Sequence, residues 1–225
     1  MKKRIITILL ALALLIPSAA PAAYAGDLLE NKAVYYTDES DYIDGDCILT
    51  ATRMMIRRAA IMRNKEGWSK ITNASLRPEA TTDGLLLYSF SYESEGVKYN
   101  VSSGSFTGQG SYARISEFES LLKTHPEGIV VWGIGAASTG THGVLVVRVE
   151  NDVVYAMDSS YNMGMFHEGI QKWKKTTMLD PSLVTDYWYI SEITEDGAVL
   201  DPSAQSRKSI DALHFNILRQ RITSV

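Results

Sequence analysis

The sequence has one cysteine, Cys47, and four histidines among its 225 residues. A lone cysteine cannot form a disulfide within its own chain, so the fold must be held by a hydrophobic core instead. The histidines are spread along the chain, away from the spacing of metal ligands, at His125, His142, His167 and His214. We therefore expect neither a metal ion nor another cofactor.

Basic charge and long apolar runs are also scarce. The chain has 22 basic and 26 acidic side chains, and three of the basic ones lie in residues 2–4, which leaves 19 against 26 and a net charge of −7 for residues 26–225. A net acidic protein is a poor partner for nucleic acid or anionic lipid. After residue 25 we find no apolar run of the roughly 20 residues that span a bilayer. Gly133 and Gly135 do not open a helix, so a nucleotide-binding loop is not expected.

The first 25 residues have the three parts of a bacterial secretory signal peptide. Residues 2–4 are basic, residues 5–16 are apolar and uncharged, and Ala23-Tyr24-Ala25 is a small-x-small cleavage site. An uncleaved membrane anchor is the alternative, but the apolar run is short for it. We expect export, cleavage before Gly26, and no stable membrane insertion afterwards.

The remaining chain predicts one α+β domain over residues 26–194 and a tail over residues 195–225. Apolar periodicity predicts a helix beginning at Cys47, and the tail has the spacing of a possible second amphipathic helix around residues 210–218. Residues 68–83 are expected to be irregular, and a capping-box pattern at Ser116 predicts a short helix ending near Thr124. Strands are predicted at residues 33–37, 85–92, 97–102, 129–134, 143–149, 153–157 and 187–193.

The single thiol lies where a reactive cysteine would be placed. Gly45 provides a turn, Asp46 is a good N-cap, and Cys47 then falls in the first helical turn. Free backbone N–H groups and the helix dipole favour a thiolate at that position. The alternative is a small buried residue that packs under the start of a helix.

A histidine and an aspartate are brought together by the predicted hairpin. His142 opens one strand and Asp158 closes the next, after the tight turn around Asn151. Because the start of one hairpin strand faces the end of the other, Asp158 is expected beside His142. A carboxylate in that place orients an imidazole for proton transfer, although such a pair is often structural.

The three residues together resemble the papain-like fold of the bacteriocin-processing type of cysteine peptidase and its secreted relatives. The matching segments are DGDCILTATRMM, GTHGVLVVRV and VVYAMDSS, and the resemblance spans roughly residues 42–193. It implies a nucleophile helix packed on an antiparallel sheet, with Cys47 as nucleophile, His142 as general base and acid, and Asp158 as its orienter. The implied reaction is hydrolysis of a peptide or amide bond in a peptide or protein substrate.

One position departs from the family pattern. That family usually has a glutamine shortly before the cysteine, whose side chain donates a hydrogen bond to the oxyanion, and here Asp41 stands in that place. An ionised aspartate cannot donate, and losing one such donor typically costs about 100- to 1000-fold in rate. A catalytically weak or inactive binding module on the same fold is therefore the main alternative, and an acyl transferase using the same triad is a third.

Overall fold

The structure is a computed structural model that describes residues 43, 45–135, 140–159, 171–172 and 179–200. The predicted signal peptide, the strand at residues 33–37, the tail helix, Asp41, His167 and His214 lie outside the described residues.

Helices occupy the first half of the described chain. They are α1 (Cys47–Met62), a 3₁₀ helix (Glu66–Lys70), α2 (Asn73–Ala80) and α3 (Gly110–Thr124). The predicted start of α1 at Cys47 is confirmed. All but one of the residues of α1 are buried, so this helix is enclosed on every side and is not amphipathic.

An antiparallel sheet of eight strands forms the rest of the described fold. Two short strands, β1 (Thr81–Thr82) and β2 (Leu85–Leu86), pair separately. The large sheet has the order β3-β4-β9-β5-β6-β7-β8, with β10 on β9. Its strands are β3 (Ser89–Ser94), β4 (Val97–Ser105), β5 (Ile129–Gly135), β6 (Thr141–Glu150), β7 (Val153–Asp158), β8 (Gln171–Lys172), β9 (Leu179–Glu195) and β10 (Ala198–Val199). Helices with an antiparallel sheet make an α+β fold, as the sequence predicted.

The middle of β6 is buried on both faces of the sheet. Leu145 and Val147 pack in the cluster that contains the α1 side chains, whereas Val144 and Val146 pack in the cluster that contains Phe118 of α3. Successive strand residues point to opposite faces, so a helix on each side accounts for this unbroken apolar run. The sheet thus fixes α1 against the strand that contains His142.

Two hairpins of the large sheet have a tight two-residue turn, and the predicted hairpin of β6 and β7 is one of them. Glu95-Gly96 joins β3 to β4 and Asn151-Asp152 joins β6 to β7, and all four residues have positive φ. A type I′ turn requires positive φ at both central residues and matches the twist of the paired strands.

Three predicted segments are wrong in their detail. The strand predicted at residues 85–92 is divided into β2 and β3, which belong to different sheets. Residues 68–83 contain the second half of the 3₁₀ helix and all of α2, because Thr72 and Ser75 form a capping box that starts α2 despite Pro78. Helix α3 begins at Gly110, six residues before Ser116. The acidic residue of that pattern, Glu119, instead pairs with Lys123 one turn later, while Glu117 accepts hydrogen bonds from the Thr107 and Gly108 N–H groups.

Within the described residues, no helix is long and apolar enough to cross a membrane.

Candidate functional site

Cys47 is the first residue of α1 and is 8% exposed. Asp46 occupies the predicted N-cap position, but its side chain caps no N–H group of the described helix. Its carboxylate instead accepts a hydrogen bond from the Ile43 N–H at 3.1 Å and forms an ion pair with Arg77 of α2. This ion pair fixes the turn before Cys47 while the N–H groups of the first helical turn stay uncapped by Asp46.

His142 contacts Asp158 directly, as the hairpin predicted. The His142 Nε2 lies 2.9 Å from Asp158 Oδ1, and Asp158 is 1% exposed. The register of β6 and β7 pairs Asp158 with Val144, two residues beyond His142 on the same side of the strand. The Ser159 hydroxyl donates to the Gly143 carbonyl at 2.5 Å and fastens the two strand ends together.

Interaction with the Cys47 side chain raises the pKa of the His142 ring, so the thiol lies near the imidazole. Because Nε2 is engaged with Asp158, Nδ1 is the ring nitrogen left for the sulfur. An ionised carboxylate only accepts hydrogen bonds, so Nε2 carries the hydrogen, and Nδ1 can exchange a proton with the thiol. The described structure thus brings together all three side chains that the sequence singled out.

The surroundings of His142 favour its protonated form. Burial by itself lowers its pKa, but hydrogen bonds and electrostatic attraction from Asp158 and Cys47 outweigh burial and raise the pKa to about 9. The charge of an imidazolium is stabilised by an adjacent carboxylate, here that of Asp158.

Gly143 lets α1 approach β6. A Cβ atom at this position would lie 2.9 Å from Ile48 Cα and 3.2 Å from Ile48 N, so any larger residue would push on the helix backbone. Since Gly143 follows His142 and Ile48 follows Cys47, this contact sets the separation of thiol and imidazole. The predicted small neighbours of His142 therefore have a specific use.

A cleft of about 430 Å³ adjoins the start of α1, although neither Cys47 nor His142 lines it. Its lining includes Gly45 and Ile48, which precede and follow Cys47 in sequence, and Trp132, which pairs with Gly143 across β5 and β6. Leu85 of β2 and Tyr88, two residues after β2, also line it. The sequence analysis missed these residues, because an isolated Trp or Leu has no pattern that distinguishes a cleft from a core.

The remaining predicted features of the site have different outcomes. Asp41 lies outside the described residues. His125 is the C-cap residue of α3 and is half-buried. No group of three or more histidine, cysteine or acidic side chains suited to a metal occurs among the described residues.

Comparison of the chain with protein-family models, with curated proteins and with solved structures returns no match.

Proposed function

We propose that this protein is an exported bacterial cysteine peptidase or amidase with a papain-like fold, in which Cys47, His142 and Asp158 act on a peptide or protein substrate. The observation that carries the proposal is the position of His142, which hydrogen-bonds to a buried carboxylate and lies near a helix-start thiol that raises its pKa. Nucleophile, proton carrier and orienter in this order are what thiol-dependent acyl transfer requires.

The first half of the proposed reaction releases an amine. The Cys47 thiolate attacks the carbonyl carbon of the scissile amide, and the oxygen becomes an oxyanion. Backbone N–H groups of the first turn of α1 can stabilise this charge, because the Asp46 side chain does not cap them. The C–N bond then breaks while His142 passes its proton to the leaving nitrogen, and the acyl group stays on the sulfur as a thioester.

The second half restores the thiolate. Neutral His142 removes a proton from water, the hydroxide oxygen bonds to the thioester carbon, and the C–S bond breaks. The products are a carboxylic acid and the starting thiolate–imidazolium pair. Asp158 remains ionised throughout and keeps the imidazole in the orientation that serves both proton transfers.

The test uses protein beginning at Gly26 and its variants Cys47→Ala, His142→Ala and the double variant. Peptide mixtures analysed by mass spectrometry should reveal cleavage by the parent protein alone. Because triad members act as a unit, either single change should remove most turnover and the double variant should be little worse. His125→Ala is the matched control, since it removes a histidine at the end of α3, and it should retain turnover.

Two outcomes would replace the peptidase proposal. If iodoacetamide alkylates Cys47 no faster in the parent than in His142→Ala, and no peptide is cleaved, a non-catalytic binding module on this fold is the better description. If added amines are acylated in preference to water, the protein is an acyl transferase that uses the same thioester.

A further inference from the structure

The cleft beside Cys47 is formed by segments that are distant in sequence. Its lining includes Trp132 of β5, Trp188 of β9 and the segment that contains Leu85 and Tyr88. Ile48, the residue after Cys47 in α1, also lines it. A volume of about 430 Å³ lies within the range of about 300–1,000 Å³ typical of small-molecule sites.

Large apolar side chains at the rim of the cleft are exposed. Leu85 is 72% exposed and Tyr88 is 74% exposed, although both line the same concave surface. Tyr88 stacks on Trp188 with ring centroids 6.4 Å apart, and the Trp188 indole donates a hydrogen bond to the Leu87 carbonyl at 2.9 Å. These contacts hold both aromatic rings in place, and the exposed Tyr88 ring stays available to a ligand whereas Trp188 is 5% exposed.

The charge of the cleft has one sign. Among the described residues that line it, Asp186 is the one carboxylate, and no lysine, arginine or histidine occurs. Asp186 accepts hydrogen bonds from the Ser105 and Thr185 hydroxyls, each at 2.8 Å, which fix its orientation. A carboxylate has about four acceptor positions, so these two bonds leave capacity for a ligand cation.

We propose that this cleft selects substrates that combine a bulky aromatic or branched apolar side chain next to the scissile bond with a neighbouring basic group. The apolar side chain packs against Leu85, Tyr88 and Trp132, and the basic group reaches Asp186. The exposed face of the Tyr88 ring also attracts a cation. This inference rests on the proposed function, because it assigns the substrate class of the same site.

The test measures binding to the Cys47→Ala protein, so that it does not depend on turnover. Four acetylated tetrapeptide amides of sequence Gly-X-Z-Gly are compared by calorimetry, with phenylalanine or alanine at X and lysine or glutamate at Z. The phenylalanine–lysine peptide should bind most tightly. Replacing phenylalanine by alanine should weaken binding by about 10-fold or more, and replacing lysine by glutamate should weaken it further.

The preference for an apolar side chain and the preference for a basic group are each tested with one variant and one matched control. Tyr88→Ala should reduce the preference for phenylalanine, whereas Tyr112→Ala, which removes an 82% exposed tyrosine of α3, should not. Asp186→Asn should reduce the preference for lysine over glutamate, whereas Asp152→Asn in the β6–β7 turn should not. Both Tyr88 and Tyr112 are largely exposed, so their removal is compatible with folding.

The results separate the two proposals. Equal affinities for the four peptides, no binding of any of them, or equal effects of the cleft variants and their controls would overturn the inference about the cleft. Selective binding without any cleavage by the parent protein would retain this inference and refute the peptidase. Cleavage by the parent protein without the predicted selectivity would support the peptidase and overturn the inference about the cleft.

Discussion

Gly143 and Ile48 touch so closely that the α-carbon of Ile48 would lie 2.9 Å from a Cβ atom placed on Gly143. The contact joins the residue after His142 to the residue after Cys47, on two elements almost a hundred residues apart in sequence. The nearest atoms belong to the helix backbone and cannot rotate away as the end of a side chain would. The distance between thiol and imidazole is therefore set by the fact that Gly143 has no Cβ atom.

Gly143→Ala is accordingly expected to lower kcat/KM by about 100-fold, since a displacement of roughly 1 Å in an active site can cost that much. Steady-state kinetics on a cleaved peptide would measure the loss. Gly104→Ala in β4 is the matched control, because its Cβ would meet the terminal atoms of the Tyr187 ring, which can move. Equal losses of kcat/KM in both variants would refute a positioning role for Gly143.

The ionisation of His142 gives a second prediction. Its pKa is raised to about 9, against the effect of burial, by the hydrogen bonds from Asp158 and Cys47. An NMR titration of the His142 ring should therefore give a pKa well above the ordinary value of about 6.5. Asp158→Asn and Cys47→Ala should each move the titration to lower pH, since each removes an anion or a hydrogen bond. A midpoint near 6.5 in the parent protein would contradict this account.

The same shift fixes how stability depends on pH. A pKa that is higher in the folded than in the unfolded protein stabilises the fold fully below about pH 6.5, and this contribution is lost as the pH rises through about 9. Peptide cleavage should decline over the same upper range, because neutral His142 cannot protonate the leaving amine.

Burial of Glu127, in a region away from the site, leads us to expect that the free energy of unfolding depends on pH. Burial raises its pKa to about 7, although Arg63 and Arg58 lower it, and Oε2 has no hydrogen-bond partner among the described residues. His125 Nδ1 lies 3.8 Å from Glu127 Oε1. Burial lowers the pKa of His125 and raises that of Glu127, so it favours the neutral form of both groups over an ion pair. The Glu127 carboxylate is therefore costly to ionise in the folded state.

The unfolding free energy should fall as the pH rises from about 4.5 to about 7, because the unfolded chain releases the Glu127 proton first. Glu127→Gln should remove this decline and stabilise the protein above pH 7 by at most about 3 kcal/mol. Urea unfolding at several pH values would measure it. Glu119→Gln, at an exposed position of α3, should leave the decline unchanged, and a decline that persists in Glu127→Gln would refute this role.

Export is tested separately from chemistry. The tripartite start of the chain predicts that protein recovered outside a bacterial host begins at Gly26. N-terminal sequencing reads this directly, and retention of Met1 would contradict it. Replacing Ala25 by a bulky residue should delay cleavage, while the same change at Gly26 should have less effect.

Local patterns were sufficient for the elements that contain the three candidate residues. Gly45 and Asp46 before an apolar periodicity predicted a helix that starts at Cys47. The turn around Asn151 fixed the register that pairs Val144 with Asp158, so the meeting of His142 and Asp158 followed from the period of a strand. Local patterns were insufficient for α2, which a capping box at Thr72 starts within the segment that was expected to be irregular.

By itself, then, the sequence determined the helix start, the hairpin register and the α+β class, because each depends on residues within one or two turns of chain. Only the tertiary structure decided how Cys47 meets His142 and what surrounds them. The close approach of Ile48 to Gly143 and the cleft between Tyr88, Trp132 and Asp186 are contacts between segments tens of residues apart. Side-chain packing between such segments leaves no periodic trace in the sequence, and it is this packing that gives the thiol a binding surface.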